Sequence, residues 1–375
     1  MADESWRVPT PVQELAGAAE EPPSRYVLRE QDRPGSLLVA DDMPEPIPVV
    51  DLSRLPDDAA EAAKLRSALQ SWGFVLVSNH GIEASLMDEV MDASREFFHQ
   101  PLEEKQKYSN LIDGKRFQIE GYGNDRVARE DQILNWNDRL HLKVEPEDGR
   151  NYAKWPKHPE SFREVLHDYA SKTKIIRDGI LRAMANSMRT TSSAIARFNY
   201  YPPCPKPELV NGGQPHSDGG VLTILLADRE VGGLLVQRDG IWYNVPSHPY
   251  TLLINLGDVM EVMCNGAFKS PVHRVVTSAE KERISLAVFH GVGLETAIEP
   301  AAGLLDEKRP ARYRKIGALD FFAGLQEHIA RGTTSSSPTA LGTAARRPFG
   351  GGGPPTFRSP ICQVKVDETK PLVSQ

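Results

Sequence analysis

Cysteine is scarce in this chain: Cys204, Cys264 and Cys362 are the only three in 375 residues. So few, so far apart, they support neither a disulfide framework nor a cysteine zinc cluster, and a reducing, cytoplasmic setting is expected. Long apolar runs are also missing, and no window approaches the length of a membrane span. Met1 to Pro23 is polar and acidic, without the basic and then apolar pattern of a signal peptide. Nor is there a run of Lys or Arg. Forty-four basic residues against 51 acidic ones give a net charge of −7, the wrong balance for neutralising phosphates, so neither a nucleic-acid nor a membrane partner is expected. No internal repeat is visible.

What is present is ordinary globular composition, 40% hydrophobic and 25% charged, and a change of texture midway. Residues 1–45 form a Pro-, Glu- and Asp-rich lead-in. Apolar residues Ala62, Leu65, Leu69 and Trp72 recur at helical spacing until Gly73 stops them. Phe74 to Val77 reads as a buried strand, and Leu86, Val90, Met91, Phe97 and Phe98 mark a second helix. Tyr122 falls in the glycine-flanked stretch Gly121–Gly123, read as a loop. Trp136 to Val144 alternates as a strand, and 159–188 carries the longest helical pattern. From Ala194 onward short strands follow one another: 194–201, 221–226, 234–237, 251–256, 272–277 and 284–289, with hairpin dipeptides Asp239-Gly240 and Asn265-Gly266. A helical pattern returns over 310–331. Many short strands closing on themselves predict a double-sheet jelly roll, mainly β with helices around it.

The stretch Gln214-Pro215-His216-Ser217-Asp218-Gly219-Gly220 carries the first chemical signal. A histidine and a carboxylate two residues apart project to one side of an extended backbone, within reach of one cation. Alone, His-x-Asp is more often a turn aspartate beside an incidental histidine. His273, at the start of a later strand, offers a third ligand. Two histidines and one carboxylate make a facial triad that leaves positions open on ferrous iron, whereas zinc more often takes three or four protein ligands in a tetrahedral set. In the strand at 283–289, Arg283, Ser285, Ala287 and Phe289 share a face opposite Ile284, Leu286 and Val288. Both faces look buried, so the arginine needs an anionic partner, which a bound carboxylate would supply. At 194–201, Arg197, Asn199 and Tyr201 share a face.

Asn199-Tyr200-Tyr201-Pro202-Pro203-Cys204, His216-x-Asp218, Asn255-Leu256-Gly257-Asp258, Ser270-x-x-His273-Arg274 and Arg283-x-Ser285 resemble the plant 2-oxoglutarate and iron(II)-dependent dioxygenases. Within that family the likeness is to the norcoclaurine-synthase-like and codeine-demethylase-like branch. Ile47 to Leu52 and Trp72-Gly73-Phe74 to Asn79-His80-Gly81 match its amino-terminal region, so the resemblance runs from about 46 to 331. It implies a double-stranded β-helix, a jelly-roll core of cupin type. It implies iron held by His216, Asp218 and His273, and 2-oxoglutarate gripped by Arg283 and Ser285 with Tyr201 and Asn199 close by. Phe289, Tyr122 and Arg197 would line the substrate pocket. Implied co-substrates are 2-oxoglutarate and dioxygen, with ascorbate supportive, and succinate and carbon dioxide as products. The organic substrate would be a small plant metabolite or hormone that is hydroxylated, demethylated or desaturated by a monomeric enzyme.

The implied organisation is a flexible lead-in (1–45), a helical amino-terminal region (46–190), the jelly-roll core with its last helix (191–331) and a disordered tail (332–375). Two features depart from the family: the abrupt passage from Met188 to Ala194, where the family has a longer connection, and the tail. Alternatives are therefore a catalytically impaired paralogue or splice variant that only binds a ligand, or a sugar-binding or storage jelly roll. His80, His99, His141, His158, His167, His248, His290 and His328 are set aside as ligands, Cys204 reads as a packed thiol and Asp258 as structural.

Overall fold

A computed structural model describes residues 7–17, 20–33, 39–40, 43–55, 57–184 and 192–331. In chain order the elements are α1 (Val12–Ala16), β1 (Val39–Ala40), β2 (Val49–Asp51), α2 (Ala59–Ser71), β3 (Phe74–Ser78), α3 (Ala84–Phe98), α4 (Leu102–Gln106), β4 (Leu111–Ile112), β5 (Arg116–Phe117), β6 (Gly121–Gly123), β7 (Asp138–Glu145) and α5 (Phe162–Met184). There follow β8 (Ser192–Tyr201), β9 (Gly213–His216), β10 (Leu222–Ala227), β11 (Leu234–Arg238), β12 (Ile241–Asn244), β13 (Leu252–Leu256), α6 (Asp258–Met263), β14 (His273–Val275), β15 (Arg283–Val292), β16 (Ala297–Ile298), β17 (Ile316–Gly317) and α7 (Ala318–Arg331).

Two sheets carry the fold, as the strand-rich second half predicts. The larger runs β2-β3-β13-β10-β15-β8-β7-β6, and the smaller β1-β12-β11-β14-β9. Alternation along the larger sheet sorts its residues onto two faces. Val75, Ile254, Ile224, Leu286, Phe198 and Leu140 fall on one face and merge with apolar residues of α2, α3 and α5 in the main core. Each such side chain is worth about 1.5–3 kcal/mol when fully buried, so this face fixes the strand register. A one-residue slip would turn it inside out. The opposite face looks towards the small sheet, and its residues are set by the same registers: Ser285 beside Asn199 and Asn199 beside Arg139, Ala287 beside Arg197 and Arg197 beside His141.

Local chemistry explains the helix starts. Asp58 caps α2 by accepting from the amides of Ala60 (2.8 Å) and Glu61 (3.3 Å), a contribution of about 1 kcal/mol. At Gly73 (φ +70) the chain turns directly into β3, and a Cβ there would lie 2.6 Å from the Lys269 carbonyl.

Three expectations are corrected. The lead-in is packed over its described part: Val12 and Tyr26 are buried against Trp136, Val210 and Cys204, and the Val12 and Gln13 amides donate to the Asp138 carboxylate at 2.8 and 2.9 Å. Its charged composition hid a few apolar anchors. Gly121–Gly123 is a strand paired with β7 and not a loop. Glycine is needed there because a Cβ on Gly121 would lie 2.5 Å from the Tyr108 carbonyl. The last helix starts at Ala318, since Ile316–Gly317 pairs with β16 first. The connection around 185–191 and the tail beyond 331 lie outside the described residues. β8 nonetheless pairs with β15 along its whole length, from Ser192 to Tyr201.

Candidate functional site

His216 and His273 face one another across the antiparallel β9/β14 pair, with ring centroids 4.3 Å apart. Asp218 follows in the turn after β9, and its Oδ1 lies 3.6 Å from Nε2 of each histidine. Ligand atoms of these three residues all fall within 4.8 Å of one another. Each imidazole turns its Nδ1 to a main-chain carbonyl, His216 to Gln214 at 2.8 Å and His273 to Pro271 at 3.2 Å. That contact places the proton on Nδ1 and leaves the Nε2 lone pair for a metal. Burial, then the neighbouring His273, pushes His216 down to about 4, so the ring is neutral and able to ligate at neutral pH.

Asp218 is oriented from behind. Its Oδ2 accepts from Thr223 Oγ1 at 2.6 Å and Asn255 Nδ2 at 2.7 Å, and Oδ1 is left towards the histidines. Burial opposes the carboxylate charge, but the two imidazoles and these hydrogen bonds outweigh it and hold the group below its ordinary range. The Asp258 amide donates to the Asp218 carbonyl at 2.7 Å. A Cβ on Gly257 would sit 2.2 Å from the Gly220 carbonyl, so the Asn255–Asp258 stretch and the Asp218 turn interlock. The N,N,O donor set fits a ferrous ion with open positions.

Beside the triad, Arg283 is 3% exposed, and its Nε and Nη1 have no hydrogen-bond partner among the described residues. Its guanidinium lies 5.2 Å from the Tyr201 ring centroid. Ser285 comes next on the same face, with Asn199 Nδ2 3.4 Å from its hydroxyl. A buried guanidinium without an acceptor is costly. The distal carboxylate of 2-oxoglutarate, received by Arg283 and the Ser285 hydroxyl, removes that cost, so these residues fit the co-substrate.

Arg197, Asn199 and Phe289 lie on the same inward face of the β8/β15 pair as Ser285. Arg197 donates to Asn199 Oδ1 at 2.7 Å and pairs two-toothed with Asp125 at 2.9 Å. Tyr122 is not brought there: it pairs with Leu140 on the core face and packs its ring on Phe97 and Phe98. Of the residues set aside, Cys204 is a buried free thiol, and His80 meets the Tyr250 carbonyl at 3.1 Å.

Sequence reasoning missed Thr223, Asn255 as a partner of Asp218, and the group Asp125, Arg139 and His141. Arg139 and His141 alternate with Leu140 and Leu142, a period-two signal that was readable. Asp125 sits in a connecting segment with no such signature.

Residues 47–158 match the family described as the N-terminal region of the non-haem dioxygenase in morphine synthesis, and residues 192–292 match the 2OG-Fe(II) oxygenase superfamily. The chain is 38% identical over 335 residues to oxoglutarate-dependent flavonoid 7-O-demethylase 1 of Ocimum basilicum, covering 86% of this chain and 88% of that protein. It is 36% identical over 339 residues to codeine O-demethylase of Papaver somniferum, covering 85% and 92%. The crystal structure of JOX2 in complex with 2OG, Fe and JA superposes with a TM-score of 0.75 at 32% identity, covering 86% of this chain and 94% of that one. With the triad and the jelly roll, these likenesses show that the chain belongs to the plant 2-oxoglutarate- and Fe(II)-dependent dioxygenases, in the branch that holds the codeine and flavonoid O-demethylases, and is an oxidoreductase.

Proposed function

We propose that this enzyme oxidises a small plant specialised metabolite or hormone by hydroxylation, demethylation or desaturation. His216, Asp218 and His273 would hold the iron, and Arg283 and Ser285 the 2-oxoglutarate. The observation that carries the assignment is the buried Arg283 guanidinium, unsatisfied at Nε and Nη1 beside the triad. Iron with 2-oxoglutarate and dioxygen supplies the oxidising power, with succinate and carbon dioxide as by-products, and ascorbate as a supporting reductant. The protein's part is placement. Thr223 and Asn255 fix the Asp218 carboxylate, the carbonyls of Gln214 and Pro271 fix both imidazoles, and Phe74 packs edge-on against His273 at 5.7 Å. Asn199 links Arg197 to Ser285, so substrate wall and co-substrate seat share one strand pair.

Relatives acting on flavonoids and codeine, and a structural neighbour bound to JA, support a small organic substrate. All the proposed ligands come from one chain, so a monomer suffices. The described cysteines are buried and free, in keeping with the cytosol, and among the described residues no helix is long and apolar enough to cross a membrane. A succinate-release screen with Fe(II), ascorbate and 2-oxoglutarate against flavonoids, alkaloids, indoles and hormone acids tests the reading. Substrate-dependent succinate release is expected. No release across the panel, from protein that binds neither iron nor 2-oxoglutarate, would favour an impaired ligand-binding paralogue.

A further inference from the structure

The co-substrate anchor sits at a strand end. Arg283 is the first residue of β15 and follows a turn in which the amides of Glu280 and Lys281 donate to Ser278 Oγ at 3.1 Å. On one side it pairs with Tyr201 of β8. On the other, pairing with β10 begins only at Ser285, opposite Ala227. A strand end with one neighbour opens locally at little cost, whereas an anchor must be held to within about 0.5 Å to grip a carboxylate productively. The residues beside Arg283 therefore need a tie of their own.

Glu282 supplies it from behind the sheet. Alternation turns Arg283 and Tyr201 inward, and Glu282 and Tyr200 towards the helices. Tyr200 accordingly belongs to the main core and Tyr201 to the core between the sheets. The Tyr200 hydroxyl donates to Glu282 Oε2 at 2.6 Å, and His99 Nε2, just beyond α3, meets the same oxygen at 2.8 Å. Arg95 Nε of α3 lies 3.6 Å from Glu282 Oε1. Hydrogen bonds to an ionised acceptor are the strong kind.

Of these three contacts the Tyr200 one is the best sheltered. The side chains of His99 and Arg95 are 49% and 40% exposed, whereas Tyr200 is buried with its ring stacked on Phe98 at 5.1 Å; water and salt weaken the exposed contacts more. Burial, then the Glu282 carboxylate, push the Tyr200 hydroxyl well above the ordinary tyrosine range, so it stays a donor at neutral pH. Because Glu282 precedes Arg283 and Tyr200 precedes Tyr201, one hydrogen bond ties both halves of the terminal β8/β15 pair. An anchor fixed beforehand binds more tightly, since less freedom is lost on binding.

Resting on the oxygenase reading above, we infer that Glu282 and Tyr200 are positioning residues for 2-oxoglutarate: their hydrogen bond, braced by His99 and Arg95, holds Arg283 in place to receive the distal carboxylate.

The test titrates two keto acids into full-length, Fe(II)-loaded protein under anaerobic conditions: 2-oxoglutarate, and 2-oxopentanoate, which has the same chain length and no distal carboxylate. Both offer the keto acid end to the metal, but only the first uses Arg283. Tyr200→Phe keeps the ring and removes the hydroxyl. It is expected to weaken 2-oxoglutarate binding at least about fivefold, while the affinities for 2-oxopentanoate and for Fe(II) stay within about twofold of wild type. Glu282→Ala should show the same selective loss, and Glu282→Gln, whose amide oxygen can still accept from Tyr200, should keep most of the affinity. The double variant should match Glu282→Ala to within about twofold, because both changes remove one contact. Unchanged 2-oxoglutarate affinity in Tyr200→Phe, or equal losses for the two keto acids, would overturn the inference, the latter marking a merely structural role. Should Tyr200→Phe fail to fold, Glu282→Ala against Glu282→Gln decides by the same two titrations. Wild type that binds 2-oxoglutarate no more tightly than 2-oxopentanoate would count instead against Arg283 as the co-substrate anchor.

Discussion

Replacing Arg283 by methionine should separate binding from stability, because the two respond in opposite directions. In the ligand-free protein the Arg283 guanidinium is buried with Nε and Nη1 unsatisfied, at a cost of about 1–3 kcal/mol. Its contact with the Tyr201 ring at 5.2 Å returns roughly 0.5–2 kcal/mol. A methionine of similar reach removes both, so ligand-free stability should hold or rise slightly. Binding should collapse, since truncating one partner of a buried, hydrogen-bonded charge pair costs about 2–5 kcal/mol. That is roughly a thirtyfold to several-thousandfold loss in 2-oxoglutarate affinity. Calorimetric titration of anaerobic Fe(II) protein measures the binding, and urea unfolding with and without 2-oxoglutarate measures the stability. At a hundredfold excess over its Kd, 2-oxoglutarate should stabilise wild type by about 2.7 kcal/mol and the variant hardly at all. A change in Kd of less than about threefold, or a marked loss of ligand-free stability, would refute the reasoning.

Other consequences follow from the same geometry. Asn255→Ala removes a hydrogen bond to Asp218 Oδ2 and should weaken Fe(II) binding by roughly 10–100-fold with little change in secondary structure, read by metal titration and circular dichroism. Asp125→Ala strands Arg139 and Arg197 beside each other and should cost about 3–5 kcal/mol in urea unfolding. His290, driven down to about 3 by burial and by Arg177 from its ordinary 6.5, binds its proton more readily in the unfolded chain. Its effect on stability is therefore absent above pH 6.5 and grows as pH falls towards 3, at up to about 1.4 kcal/mol per pH unit. His290→Phe should flatten that part of the acid-unfolding profile. Tyr26→Leu should lose about 0.5–1.5 kcal/mol with its edge contact to Trp136 at 5.2 Å, if the amino-terminal segment is docked as described.

The triad was legible because ligand chemistry demands particular residues at short spacing: His216 and Asp218 two apart, His273 opening a strand. Arg283 and Ser285 stand out through the period of β15, where one charge on an otherwise buried face calls for an anionic partner. The core followed from alternation, and β8, β10, β11, β13, β14 and β15 were placed within a few residues, whereas β12 carried no expectation. What stayed hidden depends on contacts across the chain. β9, which carries His216, has no apolar alternation of its own and is a strand because β14 pairs with it. The family likeness puts Tyr122 in the pocket, whereas its pairing with Leu140 turns it to the core. The docking of Val12 and Tyr26 could not be read from a segment whose composition is polar, because the surface it covers comes from residues more than a hundred positions away.

The central claim is that one ferrous ion is held by His216, Asp218 and His273. Anaerobic Fe(II) titration of the full chain, compared between wild type and His273→Ala, tests it most directly. Wild type should bind one Fe(II) per chain, and 2-oxoglutarate should then bind to the loaded protein; the variant, with one of its three ligands gone, should lose both. Unaltered iron stoichiometry and affinity in His273→Ala would contradict the account.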